Sequence, residues 1–149
     1  MTSEVLQFIA PATNQVQLTA WFRKLKATEN VLYAGFYSVC TLPNQSNPCV
    51  KVTFPLPNGN AIVVMKIEPC PDGSFLIVSA GNGFGDPGFY FTVHDHSGKV
   101  SGKVWACYVR AMQESIHVFA DGKLHSRADH VLKFFGASFL QLHYRMRHQ

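Results

Sequence analysis

Val50-Lys51-Val52-Thr53-Phe54-Pro55-Leu56-Pro57-Asn58-Gly59-Asn60-Ala61-Ile62-Val63-Val64-Met65-Lys66-Ile67 is the stretch on which the fold turns. Val50, Val52 and Phe54 alternate with Lys51 and Thr53, the period of a half-buried strand. Pro57-Asn58-Gly59-Asn60 contains Asn-Gly, the pair best suited to a tight hairpin. Ala61–Met65 follows as the longest apolar run, with the length of a strand. The stretch therefore predicts two antiparallel strands joined by a short turn.

The same period extends outward on both sides. Val31–Val39 is rich in β-branched and aromatic residues. Beyond the hairpin, Phe75–Ala80, Phe89–His94, Val104–Arg110, Ser115–Ala120, Arg127–Phe134 and Ser138–Met146 all read as strands. Turn signals separate them, including Asp72-Gly73, the glycine-rich run Gly81–Gly88, Asp95–Gly102, Asp121-Gly122 and Gly136. About nine short strands at this spacing indicate a sandwich or barrel. One segment reads differently. From Ala12 to Leu25, Val16, Leu18, Trp21, Phe22 and Leu25 fall at helical spacing, with Thr13 or Asn14 as cap. Arg23, Lys24 and Lys26 lie where cations favour the helix dipole.

The expected fold is a mainly β, up-and-down antiparallel barrel of about eight or nine strands with one N-terminal helix. In strand count and length it is similar to the lipocalin-like (calycin) architecture, although no lipocalin signature tripeptide stands near the start. An α+β curved antiparallel sheet packed on the helix gives nearly the same pattern. No linker or repeat divides residues 1–149, so one domain is expected.

A chain of 149 residues, 47% hydrophobic and 15% charged, is neither disordered, collagenous nor a coiled coil. Its +4 charge is spread from Arg23 to Arg147, which argues against a nucleic-acid binder. No run reaches the 18 apolar residues or so of a membrane span, and Met1-Thr2-Ser3-Glu4 lacks the basic start of a signal peptide. A cytoplasmic protein is expected. Cys40, Cys49, Cys70 and Cys107 show no C-x-x-C spacing. Cys40 and Cys49 flank the loop Leu42–Pro48 and can meet across its neck, but small buried thiols are the commoner state in a reducing compartment.

Strand parity sorts the remaining residues. Leu140, Leu142, Tyr144 and Met146 share one face, leaving His143 on a solvent face. His130 shares a face with Ala128, Leu132 and Phe134, either as a hydrogen-bonded core histidine or as a poised acid or base. Tyr90 lies opposite in parity to Phe91, and Tyr108 shares parity with Arg110. Arg110 and Glu114 would pair at the rim if both pointed inward. Tyr33 and Tyr37 align with Val31 and Val39 on one face of a strand whose other face is also apolar, so cover is expected on both sides.

Chemical motifs are sparse. Gly81–Gly88 contains GxGxG but opens a strand rather than a helix, so it reads as a loop at a barrel mouth. Gly88-x5-His94-x-His96 is similar to the first half of the cupin metal motif. The glutamate that family pattern requires is replaced by Ser97-Gly98-Lys99-Val100. No nucleophile elbow or carboxylate pair is present, and no cofactor or metal is expected.

The expected function is a cavity for a small apolar or aromatic molecule. Within it, a cofactor-independent cyclisation, isomerisation or dehydration would use general acid–base groups. His130, Tyr144, Tyr108 and Tyr90 are the candidate proton-handling residues. Tyr33, Tyr37, Phe91, Trp105, Arg110, Glu114 and Phe134 are the candidate ligand contacts. A non-catalytic carrier or sensor is the alternative. A protein-interaction module or homodimer, using the basic run Arg145-Met146-Arg147-His148, is the third.

Overall fold

The computed structural model describes residues 2–94 and 104–147. Eleven strands run in chain order: β1 (Thr2–Ile9), β2 (Val16–Lys24), β3 (Val31–Cys40), β4 (Cys49–Leu56), β5 (Gly59–Pro69), β6 (Phe75–Val78), β7 (Gly88–His94), β8 (Val104–Val109), β9 (Met112–Ala120), β10 (His125–Phe134) and β11 (Ala137–Arg147). All pairings are antiparallel, in the order β1-β2-β3-β4-β5-β6-β9-β10-β11, with β7 between β5 and β8. The Asn58-Gly59 hairpin is β4–β5, closed by Leu56 opposite Gly59.

β5 is the hinge of the sheet because two partners share its length. Gly59–Val64 pairs with Val93–Gly88 of β7, and Lys66–Pro69 pairs with Val78–Phe75 of β6. The loop 79–87 is extruded between those two partners. β1 and β11 end the strand path without pairing each other, so the sheet is open and the expected barrel does not close. It is curved, however. β3 and β11 stand six strand spacings apart, roughly 29 Å on a flat sheet, yet Tyr33 lies within electrostatic reach of Tyr144 and Glu114.

The expected N-terminal helix is absent from the described residues, and its sequence forms β2. Val16, Leu18, Ala20 and Phe22 also alternate, and Leu18, Ala20 and Phe22 pair with Phe8, Leu6 and Glu4 of β1. Long-range pairing with β1, whose own sequence carries no strand signal of comparable strength, decides between the two periods. The turn between them is set by Asn14 at a positive φ of 52° and by Ala10 N–H donating to Gln15 O.

Each face of the sheet carries a core. On the inner face of the curve, Val52, Val63 and Met65 are buried with Tyr37, Phe54, Ile77, Phe89 and Ile116 around them. On the outer face, Cys49, Val64 and Tyr90 are buried beneath Cys40, Leu42, Ile62 and Tyr108. Loops 41–48 and 79–87 meet over this second core, where Asn44 Nδ2 donates to Asp86 Oδ1 at 3.1 Å. Cys40 and Cys49 are directly opposed across β3 and β4, and both thiols are free. No helix of the described residues is long and apolar enough to cross a membrane.

Candidate functional site

Register places Tyr33 and Tyr37 on the inner face, in line with Trp21 and Arg23 of β2. The two tyrosines are four residues apart on one strand, yet their hydroxyls share a hydrogen bond of 2.6 Å. Gly35 between them makes this reach feasible, because a Cβ there would stand 2.8 Å from the Tyr33 hydroxyl. Burial raises both hydroxyls above their ordinary pKa, Tyr37 furthest, so both stay protonated at neutral pH. Trp21 packs edge-on to Tyr33 at 5.7 Å, and the Arg23 guanidinium lies 4.4 Å from the Trp21 ring centroid.

Across the curve, β9 and β10 contribute an acid and a base to the same face. Glu114 stands opposite Leu132, and His130 opposite Ile116, so the two are diagonal neighbours. Glu114 Oε1 approaches His130 Nε2 to 2.6 Å, with side chains 11% and 17% exposed. The Tyr144 ring from β11 lies 6.3 Å from the His130 ring. Trp21, Tyr33, Tyr37, Glu114, His130 and Tyr144 thus form one aromatic and ionisable cluster on the inner face.

Five of the residues singled out from sequence meet there: His130, Tyr144, Glu114, Tyr33 and Tyr37. Phe91 and Trp105 share the face but sit farther along, on β7 and β8, and are 44% and 60% exposed. Phe134 is at the far end of β10, its ring 4.7 Å from that of Phe135. Arg110 is exposed in the β8–β9 turn. Glu114 pairs with His130 rather than with Arg110, because the β9–β10 register turns it into the sheet.

Tyr90 and Tyr108 lie on the outer face, away from His130. Tyr108 Oη donates to Gly81 O at 2.8 Å, and Tyr90 Oη donates to Asp86 O while accepting from Gly85 N–H at 3.1 Å. Both hydroxyls hold the loop 79–87 against the second core, so the loop is pinned to a sheet face rather than placed at a barrel mouth. Trp21 and Arg23 were missed because the helical reading gave them no strand parity. The alternation Thr19, Trp21, Arg23 is the signal that would have found them.

Two further places bear on chemistry. A cavity of about 420 Å³ is lined by Cys70, Pro71, Asp72, Ser74, Leu76 and His117. Its Ser74 Oγ donates to Asp72 Oδ1 at 2.6 Å and lies 2.9 Å from His117 Nε2. The serine is therefore between acid and imidazole, whereas a nucleophile needs the imidazole in the middle. Ser74 N–H also donates to Asp72, completing a turn that holds the β5–β6 hairpin. On the outer face of β10 and β11, His143 is 74% exposed and bonds Asp129 at 2.7 Å, as the solvent-facing parity requires.

No group of three or more His, Cys, Asp or Glu among the described residues is placed to hold a metal ion. Asp95 and His96 of the cupin-like stretch, and His148 of the basic run, lie outside the described residues. Comparison with protein-family models, with characterised proteins and with solved structures gives no match to this chain.

Proposed function

We propose that the inner face of the curved sheet binds a small apolar or aromatic molecule, on which Glu114 and His130 act as a proton-transfer pair. The observation that carries this reading is the 2.6 Å Glu114–His130 contact on a face that, Arg23 aside, is mainly apolar and aromatic. A few convergent polar groups on an apolar surface are the usual composition of a small-molecule site. Trp21 and Tyr33 offer ring faces and edges for a flat ligand. In a cyclisation or isomerisation the Glu114 carboxylate takes a proton from carbon or oxygen, and a protonated His130 returns one elsewhere on the same molecule. Transfer of the gained proton from Glu114 to His130 across their 2.6 Å contact then restores the pair.

Native mass spectrometry of the protein as purified tests the binding step. A retained species of a few hundred daltons is expected on the wild type and on His130→Gln, and is expected to be lost from Trp21→Ala. A wild-type spectrum with no retained molecule, or a species indifferent to Trp21→Ala, removes the inner face as its site.

A further inference from the structure

All four cysteines are free thiols, and register brings two of them together. Cys40 and Cys49 form the last rung of the β3–β4 ladder, directly opposite one another where the chain leaves for loop 41–48. Opposed residues on antiparallel strands have Cα atoms about 4.5 or 5.5 Å apart, according to the kind of rung. Both spacings lie inside the roughly 4.4–6.8 Å that a disulfide spans. Both side chains belong to the outer face, in the core built on Val64 and Tyr90. Neither of the other two cysteines faces a thiol. Cys107 stands opposite Phe91 on the inner face, and Cys70 lies in the turn after β5.

The surroundings of the two thiols differ as a redox pair requires. Cys49 is 1% exposed and Cys40 is half-buried, so a reagent in solution reaches Cys40 first. Burial holds both thiols above their ordinary pKa, so no thiolate is stabilised and the reduced form gains no advantage over a disulfide. The Cys49 thiol makes only a long contact to Asn47 O, 3.9 Å, so little is lost when it is consumed. Bonding draws the Cβ atoms in from the roughly 4.5–5.5 Å of an opposed pair to about 3.8 Å. A bond closed against that resistance is a reducible one, which suits a reversible pair. Its closure reaches beyond loop 41–48. Asn44 of that loop donates to Asp86 Oδ1, and Asp86 Oδ2 accepts from Asn82 N–H, each at 3.1 Å.

We propose that Cys40 and Cys49 are a reversible redox pair that locks loops 41–48 and 79–87 over the outer core, with glutathione disulfide as the oxidant. The Cys40 thiolate attacks one sulfur of that disulfide, and one glutathione leaves as its thiolate. The Cys49 thiolate then attacks the Cys40 sulfur of the mixed disulfide, and the second glutathione leaves. The two protons given up by the cysteines end on the two glutathione thiols. One disulfide and two thiols are therefore present before and after, and excess reduced glutathione runs the same steps backwards.

Peptide mass spectrometry of the full chain tests this after equilibration in glutathione buffers, denaturation and alkylation. Trypsin leaves residues 27–51 as one peptide, which contains Cys40 and Cys49 and no other cysteine. The reduced protein is expected to give this peptide with both thiols alkylated. The oxidised protein is expected to give it unalkylated and two hydrogens lighter. Cys49→Ala is expected to hold one glutathione on this peptide, and Cys40→Ala none. The oxidised chain is expected to melt a few degrees higher and to exchange the Asn82 and Asp86 amides about tenfold more slowly. Two alkylated thiols at every glutathione ratio overturn the inference. So does a bond that forms only in urea or that lowers the melting temperature, because the native register then rejects it. Pairing with Cys70 or Cys107, glutathione on Cys40→Ala but not on Cys49→Ala, or unchanged exchange in loop 79–87 overturns it as well.

Discussion

Glu114 and His130 show what one diagonal contact does for a side-chain pair. Each is mostly withdrawn from water, so each would be costly alone, and their 2.6 Å contact offsets part of that cost. Replacing either by glutamine leaves the other without its partner. We expect Glu114→Gln and His130→Gln each to destabilise the fold by about 1–3 kcal/mol, less than a fully buried pair because both retain some exposure. The double variant should cost less than the sum of the two, with a coupling of about 1 kcal/mol in urea unfolding at neutral pH. Strictly additive losses would mean that the two groups do not sense each other. Parity puts His130 on an apolar face, but it pairs Glu114, if inward, with Arg110 at the rim, so the partnership of Glu114 with His130 was not legible. It depends on the β9–β10 register, which no short window of sequence contains. Tyr90 and Tyr108 illustrate the converse: their aromatic character was visible, while the loop that consumes their hydroxyls was not.

At the level of elements, the turn between β10 and β11 is the clearest mismatch between residue and conformation. Phe135 and Gly136 both adopt positive φ, 48° and 82°, the combination of a type I′ hairpin. Glycine tolerates it, but a bulky side chain at the first position does not. Phe135 is 81% exposed, so its ring recovers little by burial. Phe135→Asn keeps the backbone N–H that donates to Ala111 O at 2.8 Å and should raise stability by about 0.5–1 kcal/mol. A melting temperature equal to or below that of the wild type would show that the Phe134–Phe135 ring contact outweighs the backbone strain. The nine strands from β3 to β11 were legible from alternation and turn residues. β1 and β2 were not, since Val16, Leu18 and Phe22 satisfy two periods at once. The ladder to β1 that decides between them links residues about twenty apart.

For the molecule as a whole, openness makes the ends of the sheet the places where stability is set by single tethers. The sequence could not separate a closed barrel from a curved open sheet, because closure depends on whether the first and last strands meet. Here they do not, and β11 is held on one side only. Asp121, in the β9–β10 turn, receives Arg127 Nε at 2.9 Å from β10 and Arg145 Nε at 3.2 Å from β11. The hydrogen bond from Arg127, and then the charges of both arginines, hold its carboxyl below the ordinary value of 3.8. Asp72 and Asp86 are lowered in the same sense, by hydrogen bonds from Ser74 and Asn44. A carboxyl with a depressed native pKa binds fewer protons folded than unfolded near that value. Its contribution is complete above about pH 4 and is lost as pH falls through the native value. The melting temperature should therefore gain nothing from these groups between about pH 5 and 8 and should decline below about pH 4. Asp121→Asn should flatten that decline, and amide exchange in acid should reach β11 before β4 and β5, which are paired on both edges. Parallel acid profiles for wild type and Asp121→Asn would show that the arginine tethers contribute nothing, leaving the backbone ladder to β10 and the His143–Asp129 and Tyr144–His130 contacts to hold the final strand.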